Sequence, residues 1–188
     1  RKRIADHTYE ELCKFDWGAW FSPEYKNEPL LTLAETLSLY AHRTKLMIEI
    51  KSDPADRKSG RHLELTDWVL TELDMPNIRK YPDNIYVLSF DSEVLKHAYQ
   101  KFSKIRYVLN LSEDDSPTSF KHIFKQPRSE INYCYALCVN KKYLSEELVK
   151  FCRKLKKQIM TYSCNNSKDR LRAASIGADV IMTDKPGI

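Results

Sequence analysis

Glycine is scarce in this sequence, and long apolar runs are missing from it. Four glycines occur among 188 residues, and none belongs to a glycine-rich loop that could cradle a phosphate, so a nucleotide-binding fold gets no support. Every apolar run is far shorter than the roughly 18 residues that a membrane span needs, and no secretory leader stands at Arg1. We therefore expect a soluble chain without a membrane span.

Cysteine motifs are missing as well. The five cysteines, an odd number, show neither a Cys-x-x-Cys motif nor Cys/His ligand spacing, which argues against a disulfide framework and against a zinc site. Cys134, Cys138 and Cys164 lie in strand-like runs, where a small apolar side chain packs well. These patterns predict buried free thiols, and they favour a reducing compartment and hence a cytoplasmic location.

Charge of one sign is nowhere concentrated. The chain carries 31 basic and 26 acidic residues, a formal net charge of +5, without the long basic block that marks a nucleic-acid-binding arm. This charge suits an anionic substrate, and we expect no nucleic-acid partner. The length and the 42% hydrophobic content are typical of one globular domain, here residues 1–188, and give no indication of the oligomeric state.

Strand-like and helix-length segments alternate from residue 45 onward. Strands are predicted over 46–50, 85–89, 105–111, 132–139, 159–164 and 179–183, with separators that include 62–73, 92–102, 145–156 and 167–175. Such alternation forces parallel pairing in an α/β fold and leaves two architectures, an open doubly wound sheet or a closed (β/α) barrel.

Chain length favours the barrel. Eight βα units need roughly 200 to 250 residues, so six units in 188 residues indicate roughly strands 3 to 8 of a (β/α)8 TIM-type barrel whose beginning is missing. In this interpretation residues 31–188 form the βα units, and residues 1–30 form a loop and helix insertion.

Capping patterns predict several helix starts. Thr8 with Glu11 and Thr32 with Glu35 have the spacing of capping boxes, which predicts short helices near the beginning of the chain. Asp91 follows the second predicted strand and is most simply the N-cap of the next helix.

Charged residues end the first predicted strand. Apolar residues at 46, 48 and 50 alternate with Met47, Glu49 and Lys51, so one face is apolar and the other becomes charged near its end. If the second face is enclosed by other strands, these charges must be paired or metal-bound. The alternative is an edge strand with a solvated ion pair. These residues alone leave both interpretations open.

Six segments, in order along the chain, resemble the glycerophosphodiester phosphodiesterase family. They are residues 4–12, 15–24, 31–37, 48–51, 87–91 and 177–186. Any one of them is weak alone, but six collinear matches at suitable spacing are specific, and together they extend over nearly the whole chain.

This resemblance implies a (β/α)8 barrel and a hydrolase of lipid metabolism. The expected reaction is metal-dependent hydrolysis of a glycerophosphodiester, or a lysophospholipid-type substrate, to glycerol 3-phosphate and an alcohol. The family holds one divalent cation, Ca²⁺ or Mg²⁺, with three acidic residues, of which Glu49 would be the third. Lys51 would bind the phosphate and neutralise its charge.

The family's two catalytic histidines and its first two metal carboxylates have no counterpart in this sequence. His7 lies in the Thr8 capping segment and is interpreted as a surface or structural residue, and no histidine is assigned a catalytic role. The catalytic acid and base are therefore unassigned, and the chain as given is expected to be inactive. The alternative function is a catalytically inactive relative or fragment that acts as a phosphate- or headgroup-binding or interaction module.

Two aromatic residues are candidates for the substrate rim. Tyr162 begins the segment Tyr-Ser-Cys-Asn where the family tends to have Trp-Thr-Val-Asn, and its ring could pack along a glycerol group. The alternative is that Tyr162 only fills the barrel mouth. Phe21, in the inserted loop, could border the substrate or could instead pack the loop onto the barrel.

Overall fold

The sheet contains six parallel strands arranged in sequence order. The structure, a computed structural model, describes residues 3–112, 123 and 131–186. The strands are β1 (Leu46–Glu49), β2 (Ile85–Ser89), β3 (Arg106–Asn110), β4 (Ala136–Asn140), β5 (Gln158–Tyr162) and β6 (Val180–Ile181). Each strand pairs in parallel with the next, so within the described residues β1 and β6 are edge strands. All six predicted strands are confirmed, β2 with the predicted bounds and the other five with shifted ends.

Helices precede the sheet and connect its strands. The α-helices are α1 (Tyr9–Leu12), α2 (Leu33–Tyr40), α3 (Pro54–Ser59), α4 (Arg61–Leu73), α5 (Ser92–Lys101), α6 (Glu146–Lys154) and α7 (Ser167–Ile176). Within the described ranges, three 3-10 helices cover Ile4–Asp6, Pro23–Tyr25 and Pro82–Asn84. No helix in the described part of the chain combines the length and apolarity needed to cross a membrane.

The strand order decides between the two architectures that the sequence left open. A doubly wound sheet needs a reversal of strand order, whereas the order β1 to β6 runs in one direction without a reversal. Right-handed crossovers between successive strands then place the described connecting helices on the same face. The fold is therefore part of a (β/α)8 barrel, as the sequence predicted.

Two apolar clusters lie on opposite faces of the sheet. The larger cluster joins strand residues such as Val87 and Leu137 to helix residues such as Leu95 and Leu148. The smaller cluster consists of residues in or beside the strands, namely Tyr86, Leu88, Val108, Ala136, Cys138 and Met160, with Tyr135, Tyr162, Val180 and Met182 packed against them. The smaller cluster is the barrel interior, since strand residues alternate between the two faces.

The predicted fourth strand begins later than expected. Residues 131–134 form a turn, and Lys157 Nζ donates hydrogen bonds to the carbonyl oxygens of Asn132 and Cys134 at 2.9 and 2.5 Å. These carbonyl groups are thereby satisfied by a side chain and need no neighbouring strand. The strand consequently begins at Ala136.

The capping predictions are largely correct. Thr8 and Thr32 each accept a hydrogen bond from the amide of the glutamate three residues on, and the glutamate returns it. Helix α3 was not predicted, although Asp53 caps it and Pro54 occupies its first position, a known start signal. Helix α3 also holds the N-terminal segment, because Arg3 forms ion pairs with Asp53 and Asp56.

Candidate functional site

The carboxyl ends of the strands surround a cavity of about 640 Å³. Its lining comes from β1, β2, β3, β5 and β6 and the residues after them: Glu49, Ile50, Lys51, Ser52, Leu88, Ser89, Phe90, Asn110, Tyr162, Ser163, Met182, Thr183 and Asp184. In parallel βα sheets this edge collects the loops that carry binding and catalytic groups. The cavity is therefore the candidate functional site.

Glu49 and Lys51 both line the cavity and lie close to each other. Lys51 Nζ is 3.8 Å from Glu49 Oε2, and the Lys51 side chain is 81% exposed whereas that of Glu49 is 33% exposed. The sequence left two interpretations of β1 open, and each holds in part. Within the described residues β1 is an edge strand, and its ion pair is partly exposed to solvent. Glu49 nevertheless faces a cavity that is bounded by other strands. A flexible exposed ammonium beside a carboxylate suits an anionic ligand.

Asn110 is a cavity residue that the sequence analysis missed. It ends β3, is only 4% exposed, and donates a hydrogen bond from Nδ2 to Glu49 Oε1 at 3.4 Å. Its Oδ1 atom is buried without a hydrogen-bond partner among the described residues. The sequence did contain a feature that could have indicated Asn110: a polar amide stands at the end of the apolar run Tyr107–Leu109, directly before another apolar residue.

Hydrogen bonds hold the segment after β1 against the end of β2. Ser89 Oγ donates to the carbonyl oxygen of Ile50 at 2.7 Å, and the Ile50 amide donates to Leu88 at 2.8 Å. Ser52 Oγ donates to Asp91 Oδ2 at 2.8 Å, while Asp91 Oδ1 accepts the amide of the second residue of α5, which confirms Asp91 as the N-cap. The chain is thus held on both sides of Lys51, through the Ile50 backbone before it and the Ser52 side chain after it, whereas the Lys51 side chain is largely exposed.

Aromatic and apolar groups form one part of the cavity wall. The rings of Tyr162 and Phe90 meet edge to face with centroids 6.4 Å apart, and Met182 lies beside them in the lining. Aromatic and apolar side chains of this kind suit the carbon skeleton of a ligand. Phe21 does not line the cavity; it is 68% exposed and contacts the rings of its neighbours in the inserted loop, so its role at a substrate rim stays a prediction.

Cys138 lies in the barrel interior close to the site but is not a nucleophile. Burial, reinforced by the negative charge of Glu49, raises the pKa of its thiol to about 12. The reactive form of cysteine is the thiolate, which is negligible at neutral pH with such a pKa. Cys138 therefore acts as a small apolar side chain, as the sequence predicted for the buried cysteines.

Histidines are absent from the described lining of the cavity. Of the four in the described part of the chain, three have an acidic side chain within 3.4 Å elsewhere in the fold, and the fourth lies beside a tyrosine ring: His7, His62 and His97, then His42. His122 lies outside the described residues. No acid or base of a hydrolytic reaction is therefore assigned from these side chains.

Oxygen donors in the cavity match a hard divalent cation in chemical type. Glu49 supplies a carboxylate, and Asn110 supplies a buried carboxamide oxygen that has no hydrogen-bond partner in the described part of the chain. Ca²⁺ and Mg²⁺ bind carboxylate and amide oxygens in proteins. The described residues contain no group of three or more His, Cys, Asp or Glu side chains that could hold a metal ion.

Parallel βα units with a polar cavity at the carboxyl ends of the strands define a protein of the (β/α)-barrel class. Comparison with known families matches residues 1–188 to the glycerophosphoryl diester phosphodiesterase family. The chain belongs to this family. The resemblance drawn from its six sequence segments is thereby confirmed.

Similar proteins share this fold over most of the chain. A glycerophosphodiester phosphodiesterase of Bacillus subtilis (strain 168) is 23% identical over 193 residues, which cover 98% of this chain and 64% of that protein. An Oleispira antarctica phosphodiesterase, solved in complex with the product sn-glycerol-3-phosphate, matches with a TM-score of 0.76 and 19% identity over 98% of this chain and 70% of that one.

A glycerophosphodiester phosphodiesterase from Thermotoga maritima has a TM-score of 0.66 and 24% identity, over 97% of this chain and 68% of that one. At these identities the two solved structures establish the fold alone. The chain spans 64% to 70% of the length of two curated relatives and 53% to 71% of eight solved ones.

Proposed function

We propose that the protein hydrolyses a glycerophosphodiester to glycerol 3-phosphate and an alcohol, with the help of one divalent cation. The observation that carries this proposal is the position of Glu49 and Lys51, 3.8 Å apart, in the cavity at the carboxyl end of the sheet. Family membership supports the substrate class. The glycerol-3-phosphate complex of the Oleispira relative supports the product.

Glu49 and Lys51 have distinct roles in this proposal. Glu49 holds the cation, Ca²⁺ or Mg²⁺, through its carboxylate, together with ligands beyond the described cavity lining. When bound, the cation polarises a phosphoryl oxygen. Lys51 binds the phosphate as a point charge and offsets the negative charge that builds up in the transition state.

The wall formed by Tyr162, Phe90 and Met182 gives the substrate its orientation. Aromatic and apolar side chains contact the carbon skeleton of the glycerol or the alcohol while the phosphate stays at the Lys51 side. The substrate is accordingly a small glycerophosphodiester or a lysophospholipid-type molecule. Localisation to the cytoplasm is part of the same proposal, supported by four buried free cysteines.

Product release by the full-length gene product tests this proposal. The assay measures glycerol 3-phosphate formed from sn-glycero-3-phosphocholine with Ca²⁺, with Mg²⁺ and with a chelator. We expect turnover with at least one cation and its loss on chelation. Binding of the substrate without turnover would instead support the alternative, a catalytically inactive relative that binds phosphorylated headgroups. If the protein neither binds nor hydrolyses any glycerophosphodiester, both the proposed function and its alternative are refuted.

A further inference from the structure

Asn110 connects two strands across the barrel interior. It lies on β3 and Glu49 on β1, with β2 between them, and the two side chains meet at 3.4 Å. The orientation of the carboxamide follows from charge, because Nδ2 pointing at a carboxylate is attractive and Oδ1 in that place would be repulsive. The contact thus restricts the Glu49 side chain to a position facing the cavity.

The other end of the same carboxamide is unsatisfied. Asn110 Oδ1 is buried and has no hydrogen-bond partner in the described structure, although Asn110 belongs to the cavity lining. A buried acceptor without a partner costs free energy, and such atoms in native proteins usually indicate a bound ion, ligand or water.

We infer that Asn110 serves the cation site with both ends of its carboxamide: Nδ2 positions the Glu49 carboxylate, and Oδ1 is a neutral oxygen ligand of the same cation. This inference depends on the proposed function. It adds a ligand from the third described strand, and a neutral oxygen suits Ca²⁺ or Mg²⁺ without adding negative charge opposite the phosphate.

Calorimetric titration of the full-length gene product with Ca²⁺ and with Mg²⁺ tests the inference. Asn110→Leu replaces both polar ends of the carboxamide by methyl groups with the same branching at Cγ, and we expect about 10- to 100-fold weaker cation binding. Asn110→Asp loses the Nδ2 donor to Glu49 but keeps an oxygen that can bind the cation, and we expect a clearly smaller loss of cation affinity than in Asn110→Leu. Asn110→Ala replaces the leucine variant if that variant does not fold, as judged by circular dichroism.

Two further variants separate a local effect from general destabilisation. Thr161→Val removes a buried hydrogen bond, from Oγ1 to Val139 at 3.0 Å, on the helix-facing side of β5, and should bind the cation like wild type. Glu49→Gln removes the charged ligand at nearly constant volume and should lose cation binding.

The outcomes distinguish the inference from the proposed function. Wild-type affinity in Asn110→Leu, or equal losses in Asn110→Asp and Asn110→Leu, would overturn the inference while leaving the role of Glu49 intact. Weakening in Thr161→Val as large as in Asn110→Leu would also overturn it. If the wild-type protein binds no cation, or if Glu49→Gln binds it as tightly as wild type, the proposed cation site at Glu49 is refuted.

Discussion

Arg57 and Asp91 form an ion pair that joins helix α3 to the end of β2. Arg57 Nη1 lies 2.7 Å from Asp91 Oδ2, and the Asp91 side chain is only 4% exposed. Asp91 also accepts the hydroxyl of Ser52, which follows Lys51 directly. A nearly buried carboxylate is tolerated here because it has a charged partner, a hydroxyl donor and a helix N-terminus around it.

Loss of Arg57 should destabilise the protein and disturb the segment that carries Lys51. We expect Arg57→Ala to lower the free energy of unfolding by about 1–3 kcal/mol, because the carboxylate of Asp91 would stay nearly buried without the guanidinium of Arg57 as its partner. For a chain of this size that is a fall of roughly 2–12 °C in melting temperature, measurable by calorimetry. A matched control is Arg79→Ala, because Arg79 and Asp74 form an exposed pair.

The control should cost less than about 1 kcal/mol, as exposed ion pairs usually do. Equal losses in the two variants would mean that the burial of Asp91 does not decide the energy of its ion pair.

Lys51 should affect catalysis without affecting stability. In Lys51→Met we expect kcat/KM for glycerol 3-phosphate release to fall about 100-fold or more, because a charge aimed at the phosphate is removed. The side chain is largely exposed, so the free energy of unfolding should change by less than about 0.5 kcal/mol. Lys45→Met, at the opposite end of the same strand, is the control and should keep wild-type kinetics. Full activity in Lys51→Met would exclude Lys51 from phosphate binding.

Asp179 should make stability depend on pH. It accepts hydrogen bonds from Arg153 at 2.7 and 2.8 Å and from the amide of Ile159 at 2.8 Å. Burial alone would raise the pKa of this carboxyl, but the hydrogen bonds outweigh burial and lower the pKa. The ionised form therefore stabilises the fold fully above the pKa of the unfolded chain, about 3.9, and this stabilisation is lost as the pH falls through the lower folded value.

Urea denaturation of wild type and Asp179→Asn between about pH 7 and pH 2.5 checks this expectation. The difference in unfolding free energy should be constant from about pH 7 to pH 5 and should shrink below about pH 4. A difference that stays the same over the whole range would show that the charge of Asp179 contributes nothing.

Cys13 should react with thiol reagents much faster than the other four cysteines. Cys13 is exposed, whereas the remaining cysteines are buried. Burial raises the pKa of Cys134, Cys138 and Cys152 to about 12, and it also raises the pKa of Cys164. We expect an aromatic disulfide reagent at about pH 8 to modify one thiol rapidly in the folded protein and all five in denaturant. Rapid modification of a second thiol in the folded protein would contradict this burial pattern.

Local signals accounted for most of the secondary structure. Thr8 and Thr32 begin helices because a hydroxyl followed by glutamate at the third position satisfies free amides within one turn. Gly177 ends α7 with a φ of 101°, a left-handed conformation that glycine adopts at little cost. These features depend on neighbours within a few residues, so a sequence is sufficient to predict them.

Errors arose where distant groups intervene. The late start of β4 depends on Lys157, which satisfies carbonyl groups more than twenty residues earlier in the chain. No local pattern reports such contacts.

The sequence by itself determined the alternation of strands and helices, the charged end of β1 and the family, because periodicity, capping and collinear motifs are properties of short segments. Only the tertiary structure decided that the strands follow one another in order, that Glu49 faces a cavity, and that Asn110 meets it from 61 residues away. The reason is physical. Parallel strands bring their carboxyl ends to one edge of the sheet, so the site is formed by residues whose separation along the chain does not predict their distance in space.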